Sequence, residues 1–363
     1  MKKSKSHIIP IIALVLITVI VIGALAFYLL IVAGLSPNLQ KTWITTAMTT
    51  LNHKYLATAF FSDEYIDEVM KSSQVNDADA ESDILTFDGN IDEPEPPKPD
   101  DPVEPVAVEP VDPYLEEGYT RLEEGIYIKD VEGESWRGKV MLIDDPKRVK
   151  LVDTVNQYYC GEKVESMTAR VGAVAGINGG GFVDGANYDS NGGTPMGLII
   201  EDGVLVCPTY PDEYNTYQMI GINGDGALIL RHVTAKWAMD NGIKSSVSAL
   251  CYLVVNGEGI ISTYGGSWGI APRTAIGQRK TGEYIFLTID GRQIGWSIGC
   301  DLDVLERIML DEGAYNAAMV DGGTSTVMVY QNEIINRPSN GEGRWINNCF
   351  AVMPIDKSAS PEE

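Results

Sequence analysis

Basic residues are scarce in this 363-residue chain: 27 Lys and Arg stand against 51 Asp and Glu, a formal net charge of −24 at pH 7. An acid excess of that size opposes binding to nucleic acid and to anionic membrane surfaces. Histidine is scarcer still, with three residues at 7, 53 and 232. They are so scattered that histidine-based acid–base chemistry and a Cys/His metal cluster are poor readings. The five cysteines, at 160, 207, 251, 300 and 349, include no Cys-x-x-Cys pair, and an odd number leaves at least one thiol unpaired outside the cytoplasm. Cys207, Cys251 and Cys349 lie in apolar, strand-like runs, where a free cysteine behaves as a small hydrophobe. No solenoid-type repeat is evident.

Long apolar runs are also rare, and the single one is at the N-terminus. From Ile8 to Leu35 the chain is interrupted only by Pro10, Thr18, Gly23, Tyr28 and Gly34, and about 20 such residues span a bilayer. Lys2, Lys3 and Lys5 precede the run and no comparable basic cluster follows closely, which places the N-terminus in the cytoplasm and the remainder outside. A cleaved signal peptide has a shorter apolar region, about 7–15 residues, ending in a small-x-small site. Here Gly23-Ala24-Leu25-Ala26 falls inside the run, which favours an uncleaved, single-pass anchor in the cell membrane. The expected organisation is a cytoplasmic stub and anchor over 1–35, an extracytoplasmic stalk and linker over 36–117, a globular domain over 118–356 and a tail over 357–363. Within the stalk, Leu39 to Thr58 has helix-compatible spacing and Asp77 to Asp92 is acidic and poor in core residues. The run DEPEPPKPDDPVEPVAVEPVDP, ending at Pro113, alternates proline with acid, a composition that favours extended polyproline II. Some 20 residues at about 3.1 Å each make a spacer of roughly 60 Å.

From Tyr119 to Ile355 the composition becomes globular. GLIIEDGVLV, MIGINGDGALIL, ALCYLVVNGEGII and TAIGQRKTGEYIFLTIDG set Asp-Gly, Asn-Gly and Thr-Gly turns between β-branched and aromatic runs, the pattern of hairpins. A helix follows Asp301 as N-cap, with Leu302, Leu305, Ile308 and Met309 as its apolar stripe and Gly313 at its end. A second helix is expected over Glu162 to Val171. The fold class is α+β: a large mixed, mostly antiparallel β-sheet domain with a few packed helices, preceded by one transmembrane helix and a Pro/acid-rich linker.

Three polar turns carry the chemistry. Asn178-Gly179-Gly180-Gly181-Phe182 follows AVAGI, Asp321-Gly322-Gly323-Thr324-Ser325-Thr326 follows NAAMV, and Pro272-Arg273-Thr274-Ala275-Ile276-Gly277 opens a strand. Glycine at a strand end lets the backbone turn sharply or approach a ligand closely. The order INGGGF, then PRTAIG, then a helix and VDGGTSTVMV resembles the phosphodiester glycosidase family over roughly residues 120–355, departing from it at Gly181 and at Thr324-Ser325-Thr326. The resemblance implies a hydrolase acting on a sugar 1-phosphodiester, within a cell-wall or exopolysaccharide glycan.

Bond cleavage at C1 builds positive charge on the sugar and releases a phosphate monoester. A carboxylate near C1 can stabilise that charge, attack it or deprotonate water, and the phosphate calls for a cationic or N–H-lined pocket. Asp321 is the first choice for the carboxylate, with Asp290 and Asp184 as further candidates. Arg273 suits the phosphate through its planar fork, with the backbone N–H groups of Gly322, Gly323 and Thr324 as added anion contacts. Asn178 is assigned a sugar hydroxyl or an N-acetyl group, and Gly179, Gly180, Thr274 and Ser325 complete the expected binding surface. Each has a plainer alternative: a turn cap for Asp321 and Asn178, an ion-pair arginine, a hairpin Asp-Gly at 290, β-surface roles for Ser325 and Thr326. Trp268 and Trp296, in glycine-rich contexts, either stack on sugars or cap the core. No protein metal cluster is expected. A divalent cation is the one cofactor left open, through oxygen ligands in the loop of Asp184, Asn187, Tyr188 and Asp189. A non-catalytic wall-binding module and a phosphodiesterase cleaving P–O are the competing functions.

Overall fold

The computed structural model describes residues 8–50, 53–87, 112–185, 190–264 and 268–356. The proline/acid run from 92 to 111, Asn187, Tyr188, Asp189 and the tail from 357 lie outside the described residues. Two compact units emerge, one of residues 1–74 with 266–270 and one of residues 75–265 with 271–363.

In the first unit, the helix Ile8–Phe27 runs on through a wider turn, Tyr28–Val32. The stretch Pro10–Val32, 23 residues with none of it buried, is long and apolar enough to cross a membrane by length and composition; a signal sequence has the same properties. Short helices follow at Pro37–Met48, Tyr55–Thr58 and Asp63–Ser72. Ser62 caps the last of these by accepting from the Tyr65 amide, and Asp63 and Glu64 sit at its positive end. Ile44, Ala47, Ala57, Ile66 and Val69 form this unit's own small core. Trp268, expected either to stack on a sugar or to cap a core, belongs to this unit.

Among the described residues, the second unit is built on three sheets. An eight-stranded sheet orders Thr120–Glu123, Ile126–Glu132, Arg137–Ile143, Tyr284–Ile289, Arg273–Arg279, Ala314–Met319, Cys251–Val255 and Glu258–Gly259. A five-stranded sheet orders Val204–Cys207, Ile199–Glu201, Ser245–Ser248, Thr216–Ile222 and Leu228–Thr234, and a second one Glu333–Ile334, Met328–Tyr330, Ala175–Asn178, Asn348–Val352 and Val149–Asp153. Every pairing among the described strands is antiparallel. The α+β class therefore stands, with the expected single large sheet divided into three.

Local chemistry explains the hairpins. Asp202-Gly203 and Asn256-Gly257 both take positive φ at both central positions (47° and 79°, 53° and 82°), the geometry that matches strand twist in two-residue turns. The helix Leu302–Asp311 is capped by Asp301, whose carboxylate accepts from the Val304 amide at 3.0 Å. It buries Leu302, Leu305, Ile308 and Met309. The helix Val164–Val171 ends at the left-handed Gly172. One continuous apolar cluster, including Ile126, Met141, Ile177, Ile220, Leu228, Ile276 and Phe350, draws on all three sheets. Residues 75–87, read from composition as stalk, pack on this unit. The Ser82 amide donates to the Leu230 carbonyl at 2.9 Å, Ala80 joins the core, and Asp77 accepts from the Tyr252 amide at 2.8 Å. Two short hydrogen bonds and one buried alanine anchor what acidic composition alone presents as solvated chain.

Candidate active site

The three turns meet. Asn178 ends a central strand of one sheet, Arg273 opens a central strand of another, and Asp321 follows the strand Ala314–Met319 beside it. The Asn178 Nδ2 donates to the Asp321 carbonyl at 2.5 Å, while its Oδ1 accepts from the Thr274 hydroxyl at 2.8 Å and the Val327 amide at 3.1 Å. The Asp321 amide donates to the Gly179 carbonyl at 3.1 Å, and the Gly323 amide to the Pro272 carbonyl at 2.9 Å. Two sheets are thus pinned together directly beneath one carboxylate.

That carboxylate is the informative group. Asp321 lies half-buried at the tip of the turn. Burial raises its pKa to about 6, against the opposing pull of the Ser325 hydroxyl, the Arg344 charge and the Gly322 amide, while the Asp184 charge raises it further. Its Oδ1 accepts from the Gly322 amide at 3.0 Å. The Arg292 guanidinium lies over the turn: a Cβ built on Gly323 meets its two terminal nitrogens at 3.3 and 3.4 Å. Burial, with the nearby Arg273 charge, lowers the Arg292 pKa to about 10, and the Asp321 charge acts against that fall. Arg292 itself holds a left-handed backbone, φ 60°, which non-glycine residues adopt at a penalty.

On another side, Arg344 clasps Asp184 through two hydrogen bonds of 2.7 Å each and donates to the Ser190 carbonyl at 3.1 Å. Its guanidinium lies 4.8 Å from the Phe182 ring centroid. Burial alone raises the Asp184 pKa, but the Arg344 and Ser190 contacts outweigh it and hold Asp184 below the ordinary carboxylate range. Asp321 is therefore the carboxylate poised near neutrality, between an ionised Asp184–Arg344 pair and Arg292.

Several sequence assignments change. Asn178 and Thr274 are fully buried and bonded to protein, so they position the turn rather than hold a sugar. The Gly179 and Gly180 amides both serve Asn348, at 3.0 Å to its carbonyl and 2.8 Å to its Oδ1. A Cβ on Gly179 falls 2.1 Å from that same Oδ1, so its glycine answers a packing demand and not a ligand. Arg273 is 4 % exposed, with Nε donating to the Cys300 carbonyl at 3.3 Å and a terminal nitrogen 3.8 Å from the Met319 sulfur. Its fork is turned into the core, and burial lowers its pKa. Gly322 and Gly323 already use their amides on Asp321 and Pro272, and Ser325 is 2 % exposed. Thr324 remains half-buried at the turn.

Of the further acids, Asp290 is 4 % exposed and accepts from Trp296 Nε1 at 2.9 Å, Asn336 Nδ2 at 3.1 Å and the Arg337 amide at 2.9 Å. It is an anchoring carboxylate. Asp184 is engaged by Arg344 at both oxygens, which removes it as a free base and as the cation ligand considered for its loop. Among the described residues no group of three or more His, Cys, Asp or Glu is placed to hold a metal ion. The five cysteines are free, and burial pushes the Cys300 thiol up to about 12.

Arg292 and Arg344 went unassigned in the sequence. Arg292 had a usable signal, since Asp290-Gly291-Arg292 ends a strand as Asp321-Gly322-Gly323 does. Arg344, in the irregular GEGRW segment, had none.

A strand-end acid near neutrality, flanked by guanidinium groups, is equipped to act on an anionic substrate through an ionised carboxylate. The family model described as NAGPA, phosphodiester glycosidase, matches residues 171–353. The chain belongs to the phosphodiester glycosidase family, a match that supports a hydrolase. It is similar to the SPbeta prophage-derived uncharacterized protein YomE of Bacillus subtilis (strain 168), 29% identical over 224 residues, which is 57% of this chain and 32% of YomE. The matched region thus spans about a third of that relative's length. Among solved structures, the zebrafish N-acetylglucosamine-1-phosphodiester alpha-N-acetylglucosaminidase catalytic domain, auto-inhibited by its pro-peptide, superimposes with a TM-score of 0.50 at 22% identity. That superposition covers 63% of this chain and 82% of the zebrafish one, and shows a shared fold.

Proposed function

We propose that this chain is a membrane-anchored, extracytoplasmic hydrolase that cleaves the C1–O bond of a sugar 1-phosphodiester in a cell-wall or exopolysaccharide glycan. The observation that carries the reading is Asp321, a carboxyl raised to about 6 at a turn where three family motifs join. Ionised, it sits where positive charge at C1 is stabilised or water deprotonated. Arg292 takes the phosphate through two parallel N–H···O contacts. Arg344, held by Asp184, keeps a positive potential across the carboxylate and lets it ionise within the physiological range. Phosphate leaves as a stable anion, so a protonated acid on the leaving-group side is unnecessary. The extracytoplasmic placement rests on Lys2, Lys3 and Lys5 preceding the apolar helix.

The test uses the full-length protein in detergent with a panel of sugar-1-phosphate diesters in ¹⁸O-labelled water. Label in the released sugar, with turnover abolished by Asp321→Asn, supports C–O cleavage by this centre. Label in the phosphate assigns P–O cleavage instead. Unchanged glycan binding with no turnover of any diester assigns a wall-binding module.

A further inference from the structure

A concavity lies beside Asp290, at the end of the strand Tyr284–Ile289. It is a cleft of about 580 Å³, and its lining includes Arg137, Lys139, Asp290, Trp296, Asn336 and Arg337. It joins the Asp321 turn through one side chain: Asn336 Nδ2 donates both to Asp290 Oδ1 at 3.1 Å and to the Thr326 carbonyl at 3.2 Å. Thr326 closes the turn that Asp321 opens. The backbone from Asp290 to Arg292 then leads from the cleft wall to the guanidinium over Gly323.

Trp296 does not offer the cleft a bare aromatic face. Its Nε1 is fixed on Asp290, and the guanidinium carbons of Arg137 and Arg337 lie 4.6 and 5.2 Å from its ring centroid. Trp296, which the sequence left between stacking on a sugar and capping the core, is the base of a cationic platform, because a guanidinium stacked on a ring still directs its N–H donors in its own plane.

By formal count the three cations of the cleft face three acids, but their placement differs. Asp290 already accepts three N–H donors, and Glu132 and Asp130 are solvated partners, their side chains 73% and 81% exposed against Arg137 and Lys139. Pairs so exposed contribute little and yield readily to a competing anion. Arg337 forms no ion pair among the described residues; its backbone amide holds Asp290 while its side chain is exposed. In a chain of net charge −24, a cleft that keeps Arg137 and Arg337 over one indole, with Lys139 also in its lining, selects for an anionic ligand.

We infer that this cleft binds a second phosphate group of a polymeric phosphodiester, so that the chain acts on a polyanionic glycan rather than on an isolated sugar phosphate. This rests on the hydrolase reading above for its first phosphate, at Arg292 beside Asp321. The cleft supplies the specificity for chain length.

Two measurements separate the two claims. In the first, full-length Asp321→Asn protein is titrated with an oligo(glycerol phosphate), with maltohexaose as the neutral probe and with a single-phosphate methyl diester, at low and high salt. Adding Arg337→Ala is expected to weaken binding of the oligo(glycerol phosphate) roughly tenfold, with the loss shrinking as salt rises. Arg337→Lys should restore part of it, and unchanged near-UV circular dichroism shows that the fold persists. Equal affinity with and without Arg337, or an equal loss for maltohexaose, overturns the inference. In the second, Arg337→Ala is made in the otherwise wild-type chain, and turnover of a single-phosphate diester is expected to stay unchanged. Turnover of short diesters without Arg337-sensitive polymer binding leaves the hydrolase and removes the subsite. Arg337-sensitive polymer binding without turnover of any diester leaves the subsite and removes the hydrolase.

Discussion

Replacing Asp321 by Asn should abolish turnover and, at neutral pH, strengthen the fold. A carboxyl whose pKa rises from 3.8 to about 6 on folding binds its proton more tightly in the native state. Its contribution to stability is therefore fully present below about pH 4 and is lost as pH climbs through about 6. At about 1.4 kcal/mol per pH unit the rise corresponds to roughly 3 kcal/mol, an upper figure because part of the group faces solvent. Asn keeps the shape and carries no charge to desolvate, so it removes that penalty. The expected result is a melting temperature higher by about 5–10 °C at pH 7.5 for a domain of this size, converging with wild type near pH 4. Urea or thermal unfolding of both proteins across this range, plotted as the difference between them, isolates the single group. A difference that is flat with pH, or one that grows on acidification, refutes the claim that burial dominates at Asp321.

Turnover itself should rise with pH through about 6 and then level off, because the ionised form is the active one; Arg344→Ala should move that midpoint upward, since it removes a cation and unpairs Asp184. A pH–rate profile that stays put or moves down contradicts the electrostatic role given to Arg344. Arg292→Ala should lower kcat/KM by about 10²–10³-fold with the melting temperature preserved, and steady-state kinetics on a sugar-1-phosphate diester within a factor of a few of wild type would remove it from phosphate binding. Asn178→Ala should destabilise by about 2–4 kcal/mol in urea, because it strands the buried Thr274 hydroxyl and Val327 amide; a change below about 0.5 kcal/mol would mean that the two sheets are joined elsewhere.

What the sequence disclosed follows the range of the forces involved. Asp202-Gly203 and Asn256-Gly257 reveal their hairpins because the turn is decided by the two residues themselves. The helix after Asp301 is equally local, its cap and stripe lying within eleven residues of chain. The three glycine-bearing turns were legible too, since each is marked by its own short run of residues at a strand end. Side-chain direction was not. Arg273 opens its strand as expected, yet whether its fork faces substrate or core depends on the helix and strand packed against it, and Cys300 and Met319 decide that. The division into three sheets was hidden for the same reason: Val329 pairs with Gly176, and Phe350 with Ile177, contacts that no window of neighbouring residues contains. Acidic composition likewise made 75–87 look solvated, although Asp77 and Ser82 bond into the domain.

The left-handed backbone at Arg292 has its own consequence. Glycine would occupy that position more comfortably, by about 1 kcal/mol or more, and would leave Asp321 without the neighbour that draws an anion toward it. The site thus holds its guanidinium on a slightly wound spring, and the simplest route to a sturdier domain at that position is also the one that disarms it.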